Sequence, residues 1–144
     1  MADGPAIVGD RTRFLWDAQA VVHYIKRDSV YHRFREAAQR GAPTMSVSCF
    51  AEVMCTLGLR IQSREQLSKL AEELKDQFDI VSVGVPEVIQ FAELHRTVRA
   101  DGILRTMTHF WDAALSKLRG FKILAVNRNP FERLVDRFDF VEIG

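Results

Sequence analysis

The chain has 144 residues, 47% of them hydrophobic and 27% charged, with a formal net charge of +1. That length suits a single domain with a real core, the composition excludes a disordered chain, and no apolar run approaches the roughly 18 residues of a membrane-spanning helix. A charge so close to zero argues against nucleic-acid binding through bulk charge alone, while allowing a local basic patch around an acidic centre.

In chain order, Met1–Asp10 reads as a loose tail without the basic start and apolar stretch of a signal peptide, so a cytoplasmic location is expected. A short strand over Thr12–Asp17 leads into a helix over Ala18–Lys26, and a second helix over Tyr31–Arg40 stops at Gly41. Thr44–Val47 reads as a strand and Ser48–Leu57 as a helix. Cys49 and Cys55 on that helix point to different faces, so no disulfide between them and no zinc site is expected. Ser63-Arg64-Glu65-Gln66 resembles a capping box opening a helix whose stripe is Leu67, Leu70 and Leu74. Asp79–Val83 reads as a strand. Pro86 sits in the first turn of a helix running to Arg99, which Asp101 and Gly102 break. A helix over His109–Arg119 ends at Gly120, Phe121–Val126 is a buried strand, Pro130 begins a short helix, and Phe138–Ile143 is a closing strand. Strands alternating with helices predict a three-layer α/β/α sandwich with a mostly parallel sheet, the first strand central, as one domain over residues 1–144. Such sheets place their sites at the carboxyl ends of the strands.

Three carboxylates stand near those ends. Asp17 follows Leu15-Trp16, Glu52 sits between Phe50-Ala51 and Val53-Met54, and Asp112 sits between Phe110-Trp111 and Ala113-Ala114. Burying an unpaired carboxylate is costly, so an acid in apolar sequence needs a partner or a task. Each has a purely local reading: Asp17 as a helix N-cap, Glu52 and Asp112 as complements to the positive ends of their helices. Together they point to a different chemistry. Carboxylates gathered in one pocket repel each other unless a cation sits among them, and oxygen-only ligands suit Mg²⁺ or Mn²⁺.

These residues resemble the PIN-domain family, in particular its VapC-type toxin ribonucleases. Phe14-Leu15-Trp16-Asp17-Ala18-Gln19-Ala20 is similar to the family's opening strand with its first acid. Ser46-Val47-Ser48-Cys49-Phe50-Ala51-Glu52-Val53 is similar to the strand–helix segment with Ala-Glu, Trp111-Asp112-Ala113-Ala114-Leu115 to the third motif, and Leu124-Ala125-Val126-Asn127-Arg128-Asn129 to the fourth strand and its end. The resemblance runs in order from about Arg13 to Val141. The departures are Gln19, where the family usually has Asn or Ser; Asn127, in place of the common Thr; and Asn129, at the position of the fourth acid, with Glu132 three residues on. The resemblance implies a ribonuclease in which Asp17, Glu52 and Asp112 hold one or two Mg²⁺ or Mn²⁺ ions and Asn129 supports them. It also implies a small antitoxin partner and a homodimer. The alternative is a catalytically silent PIN-like domain that binds RNA or protein.

The basic stretch from His95 to Arg105 is read as an RNA-backbone contact through Arg96, Arg99 and Arg105, with Arg128 beside Asn129 as a further candidate. The competing reading is a solvated helix end, where cations complement the dipole. Asp101 reads as a turn residue ahead of an outer-shell acid. The four histidines show no ligand spacing, and Trp16 and Trp111 read as core residues.

Overall fold

A computed structural model describes residues 13–27, 29, 31–40, 43–99, 102–103, 105–135 and 138–140. The readings of Met1–Asp10, Thr12, Gly41, Asp101 and the last residues of the closing strand lie outside them.

The first strand, β1 (Phe14–Trp16), is followed by α1 (Ala18–Lys26) and α2 (Tyr31–Arg40), then β2 (Thr44–Ser46), α3 (Val47–Leu57), a 3-10 turn (Gly58–Arg60) and α4 (Arg64–Gln77). The second half runs β3 (Asp79–Val81), α5 (Val85–Val98), α6 (Met107–Arg119), β4 (Lys122–Ala125) and β5 (Phe138–Phe140). The five strands form one sheet in the order β3-β2-β1-β4-β5, with every pair parallel and β1 at the centre.

Alternation along the strands builds two cores. Phe14, Trp16 and Leu124 face a layer made by α1, α2, α3 and α4, with Val21, Phe34, Val53 and Leu74. Leu15, Ile123 and Ala125 face the opposite layer, made by α5 and α6, with Leu94, Val98, Phe110 and Leu115. This is the expected three-layer sandwich. The central strand β1 and its neighbour β4 are covered on both faces, so Phe14-Leu15-Trp16 and Ile123-Leu124-Ala125 run continuously apolar, while the outer strand β3 leaves Asp79 exposed. Cys49 is buried, Cys55 exposed, and both are free. No helix among the described residues is long and apolar enough to cross a membrane.

Element ends follow local hydrogen bonds. Ser46 Oγ accepts from Cys49 N–H at 3.0 Å and caps α3, so β2 ends there and Val47, expected in the strand, opens the helix. Thr106 N–H donates to His109 Nδ1 at 3.0 Å, which draws the start of α6 back to Met107. The expected helix at Pro130 is replaced by consecutive turns, with Glu132 N–H on Arg128 O and Val135 N–H on Phe131 O. Arg105 Nε ties Pro130 O from outside at 3.0 Å, and Phe131, Leu134 and Val135 are buried, so packing shapes this segment more than helix propensity does.

Trp16 is the hub of the first core. It is fully buried, with ring centroids 5.4 Å from Tyr24, 6.1 Å from Phe34 and 5.3 Å from Phe78, and its Nε1 finds no acceptor among the described residues. Trp16→Ala is expected to lower unfolding free energy by about 3–5 kcal/mol, read from the urea midpoint. Trp16→Phe, which keeps an aromatic ring and deletes the unpaired N–H, should cost less than about half of that.

Candidate active site

The sheet order reverses direction at β1: the chain moves from β1 outward to β2 and β3, then crosses to β4 on the other side. Open parallel sheets bind ligands beyond the strand ends at such a switch point. Asp17, Ser46 and Asn127 stand just there, at or beyond the carboxyl ends of β1, β2 and β4.

Asp17 does two things at once. Its carboxylate accepts from Ala20 N–H at 2.8 Å and so caps α1, and it lies 4% exposed on the wall of a cleft of about 230 Å³. Burial pushes its pKa up to about 7; hydrogen bonds from the backbone of Ala20 and Val126 and the charge of His23 oppose this, and Glu52 reinforces it. Asp112 is more deeply placed, with no exposure at all. Ser46 Oγ donates to its Oδ1 at 2.8 Å, while Oδ2 has no partner among the described residues. Burial drives the Asp112 carboxyl well above the usual range; the Ser46 bond opposes this, and the charges of Asp17 and Glu52 add to it. Glu52, half-buried on α3, shares the cleft wall with Asp17.

Asp17 and Glu52, both on the cleft wall, thus act on the charge of the buried Asp112, and Glu52 acts on that of Asp17. Among the described residues, however, no three His, Cys, Asp or Glu side chains already form a cage for an ion. The fit to a hard divalent cation rests on the oxygen-only set, the unpartnered Oδ2 of Asp112 and the mutual repulsion.

The other sequence candidates are placed differently. Asn127 lines the cleft, while Asn129 is exposed and outside its lining, because the turn from Arg128 to Phe131 carries it outward. Arg96 and Arg99 are exposed at the end of α5. Arg105 bonds Pro130 O, and Arg128 lies 3.9 Å from Glu132. Trp111, expected in the core, is only half-buried and packs on Phe91 with ring centroids 4.6 Å apart, outside both core clusters among the described residues.

Thr108 and His109 also line the cleft, and sequence reasoning passed over both. His109 Nδ1 accepts from Thr106 N–H, so the neutral ring carries its proton on Nε2. Burial, with the Arg105 charge as a second cause, lowers its pKa from 6.5 to about 4. The spacing of Thr106 and His109, N-cap to third helical position, was the available signal. Ser48 Oγ and Thr108 Oγ1, 3.1 Å apart, tie α3 to α6 beside the acids.

The all-parallel five-stranded sheet with helices on both faces is a PIN-like fold. No family model matches the sequence, and no curated sequence relative does either. Solved structures match its fold. VapBC2 from Rickettsia felis, bound to a promoter DNA fragment, gives a TM-score of 0.73 at 13% identity, covering 91% of this chain and 100% of that one. DNA-bound VapBC from Salmonella typhimurium gives 0.70 at 16% identity over 90% and 98%, and FitAcB from Neisseria gonorrhoeae 0.68 at 13% over 87% and 95%.

The buried acids set the pH dependence of the metal-free protein. Asp17, raised from 3.8 to about 7, contributes stability that is full below about pH 3.8 and lost as pH rises through about 7. Asp112 has the same sign. His109, lowered to about 4, has the opposite sign: its contribution is present above pH 6.5 and lost as pH falls toward about 4. Two acids outweigh one histidine, so melting temperature in chelator should fall from about pH 5 to about pH 8. Asp17→Asn should flatten that slope and raise the value at about pH 8 by several degrees, since about 1.4 kcal/mol accompanies each pKa unit. An unchanged slope in the variant would show that Asp17 does not carry it.

Proposed function

We propose that this chain is a divalent-metal-dependent endoribonuclease and the toxin of a toxin–antitoxin pair. The observation that carries the reading is the pair Asp17 and Asp112, both buried and both pushed toward the neutral form, beside a cleft that Glu52 also lines. Keeping such groups apart from water and without a counter-charge is unfavourable in the metal-free state, and a cation would relieve it. The shared fold with VapBC structures and with a toxin–antitoxin complex from Klebsiella pneumoniae supports the second half. On this reading the chain pairs with a small antitoxin protein, forms a homodimer and acts in the cytoplasm.

Asp17, Glu52 and Asp112 would hold Mg²⁺ or Mn²⁺, which when bound polarises a phosphodiester and activates water. Ser46 orients Asp112 through its 2.8 Å bond, and the cap to Ala20 fixes the Asp17 rotamer. Asn127, from the cleft wall, takes the polar supporting role that the resemblance assigns to Asn129. His109, neutral across the working pH range, offers an N–H donor for a phosphate oxygen. Arg96 and Arg99, exposed at the end of α5, are the candidates for the RNA backbone outside the cleft, with Arg128 reaching it beside its contact with Glu132, while Arg105 holds the Pro130 turn.

A second reading has its own support. With no preformed group of three ligands among the described residues and Asn129 turned outward, a catalytically silent PIN-like domain would look similar. One assay separates them: cleavage of a mixed RNA pool with Mg²⁺, Mn²⁺ or chelator. Wild type is expected to cleave only with metal, and Asp17→Asn to lose at least a hundredfold in rate while remaining folded. Equal cleavage by both proteins removes Asp17 from the machinery; absence of cleavage and of Mn²⁺ binding by wild type selects the silent domain.

A further inference from the structure

A second, larger cleft of about 480 Å³ adjoins the acids, and we propose that it is a nucleobase subsite selecting adenine beside the scissile phosphate. This inference rests on the ribonuclease reading. The two clefts share Ala18, Gln19 and Glu52, so they are continuous, and the size lies in the range of small-ligand sites.

The walls come from two helices. Gln19, Val22 and His23 lie on one face of α1 at helical spacing, and Glu52 and Thr56 lie one turn apart on α3. Ala18, Val22 and Val126 make the apolar part, which suits a planar ring more than a hydrated phosphate. Glu52 adds a negative charge, and no Lys or Arg lines the cleft, so phosphate is further disfavoured. His23 is held by parallel stacking on Phe34, with centroids 5.8 Å apart and planes 3° apart, which gives a fixed aromatic surface. Unpaired RNA bases are commonly held on such surfaces, histidine included.

The polar groups select among bases. Gln19 is exposed on the shared wall, and among the described residues its amide makes no hydrogen bond, so both its donor and its acceptor are available. A glutamine amide pairs bidentately with the N6 and N7 edge of adenine. Thr56 Oγ1 donates to Glu52 O at 3.1 Å, so its lone pairs remain for a donor such as an exocyclic amine. Guanine presents two acceptors on the corresponding edge and would set an oxygen against that hydroxyl oxygen. This gives the Gln at position 19, where the resembled family usually has Asn or Ser, a task of reach: its longer side chain spans from the acidic cleft into the neighbouring one.

The test sequences the ends produced from a randomised RNA pool with Mn²⁺. Wild type should enrich adenine at one fixed position next to the cut. Gln19→Ala should lower that enrichment about tenfold, the loss expected of a bidentate contact, and Thr56→Val should lower it as well, both with unchanged melting temperature. If wild type cleaves without adenine enrichment, or Gln19→Ala leaves it intact, the subsite is overturned and the ribonuclease reading stands. If wild type does not cleave at all, the ribonuclease reading fails, and amide chemical shifts of Val22, His23 and Thr56 on titration with adenosine and cytidine monophosphates decide the subsite. Selective shifts with the adenine nucleotide support it; none, or equal shifts with both, overturn it.

Discussion

Asp112 is held entirely out of water with one oxygen bonded to Ser46 and the other without a partner, and the rest of the site is arranged around that fact. A lone buried carboxylate is tolerated only if it is neutral, paired, or matched by a cation. Asp17 and Glu52 cannot neutralise it; their charges make ionisation harder. The same neighbourhood pushes up the thiol of Cys49, with burial first and then Asp112, Asp17 and Glu52 as causes, so that cysteine stays an inert core group. The fold therefore gathers three carboxyl groups at one point, and the hydrogen-bond partners it gives Asp17 and Asp112, the backbone of Ala20 and Val126 and Ser46 Oγ, carry no positive charge.

Parallel pairing is what brings the point about. β1 lies between β2 and β4, in register through Leu15 with Thr44 and Ile123, so the residues ending the three strands meet. Asp17 N–H extends the ladder to Leu124 O at 3.0 Å, fixing the backbone of the first acid. Ser46 serves two ends of the structure, capping α3 through Cys49 N–H and donating to Asp112 on α6. A local helix cap and a long-range site contact thus share one hydroxyl. Glu87 shows the opposite solution for a buried acid: it accepts from Gly84 N–H and pairs with Arg119 at 3.2 Å, so it needs no ion.

Much of this was legible in the chain. Alternation of helix and strand gave the layers, and acids embedded in apolar sequence marked Asp17 and Asp112, because such residues rarely lie inside a core without cause. The two readings of Asp17, cap or site residue, proved compatible, since one oxygen bonds Ala20 while the side chain still borders the cleft. What stayed hidden depended on distant contacts. The turns at 129–134 answer to Arg105, 25 residues away, so neither the missing helix at Pro130 nor the exchange of Asn127 for Asn129 on the cleft wall has a local signature. His109 was set aside for lack of ligand spacing, yet α6 and its N-terminal hydrogen bond bring it to the same wall.

The central claim is that the buried acids are proton-loaded until a cation replaces the protons. Calorimetric titration of the protein with Mn²⁺ at about pH 6, in two buffers of different ionisation enthalpy, measures that exchange directly. Asp17, with a pKa of about 7, is largely protonated there, and burial drives the Asp112 carboxyl in the same direction, so binding should release protons to the buffer. Mn²⁺ binding with the same heat in both buffers, or no binding at all, would contradict it.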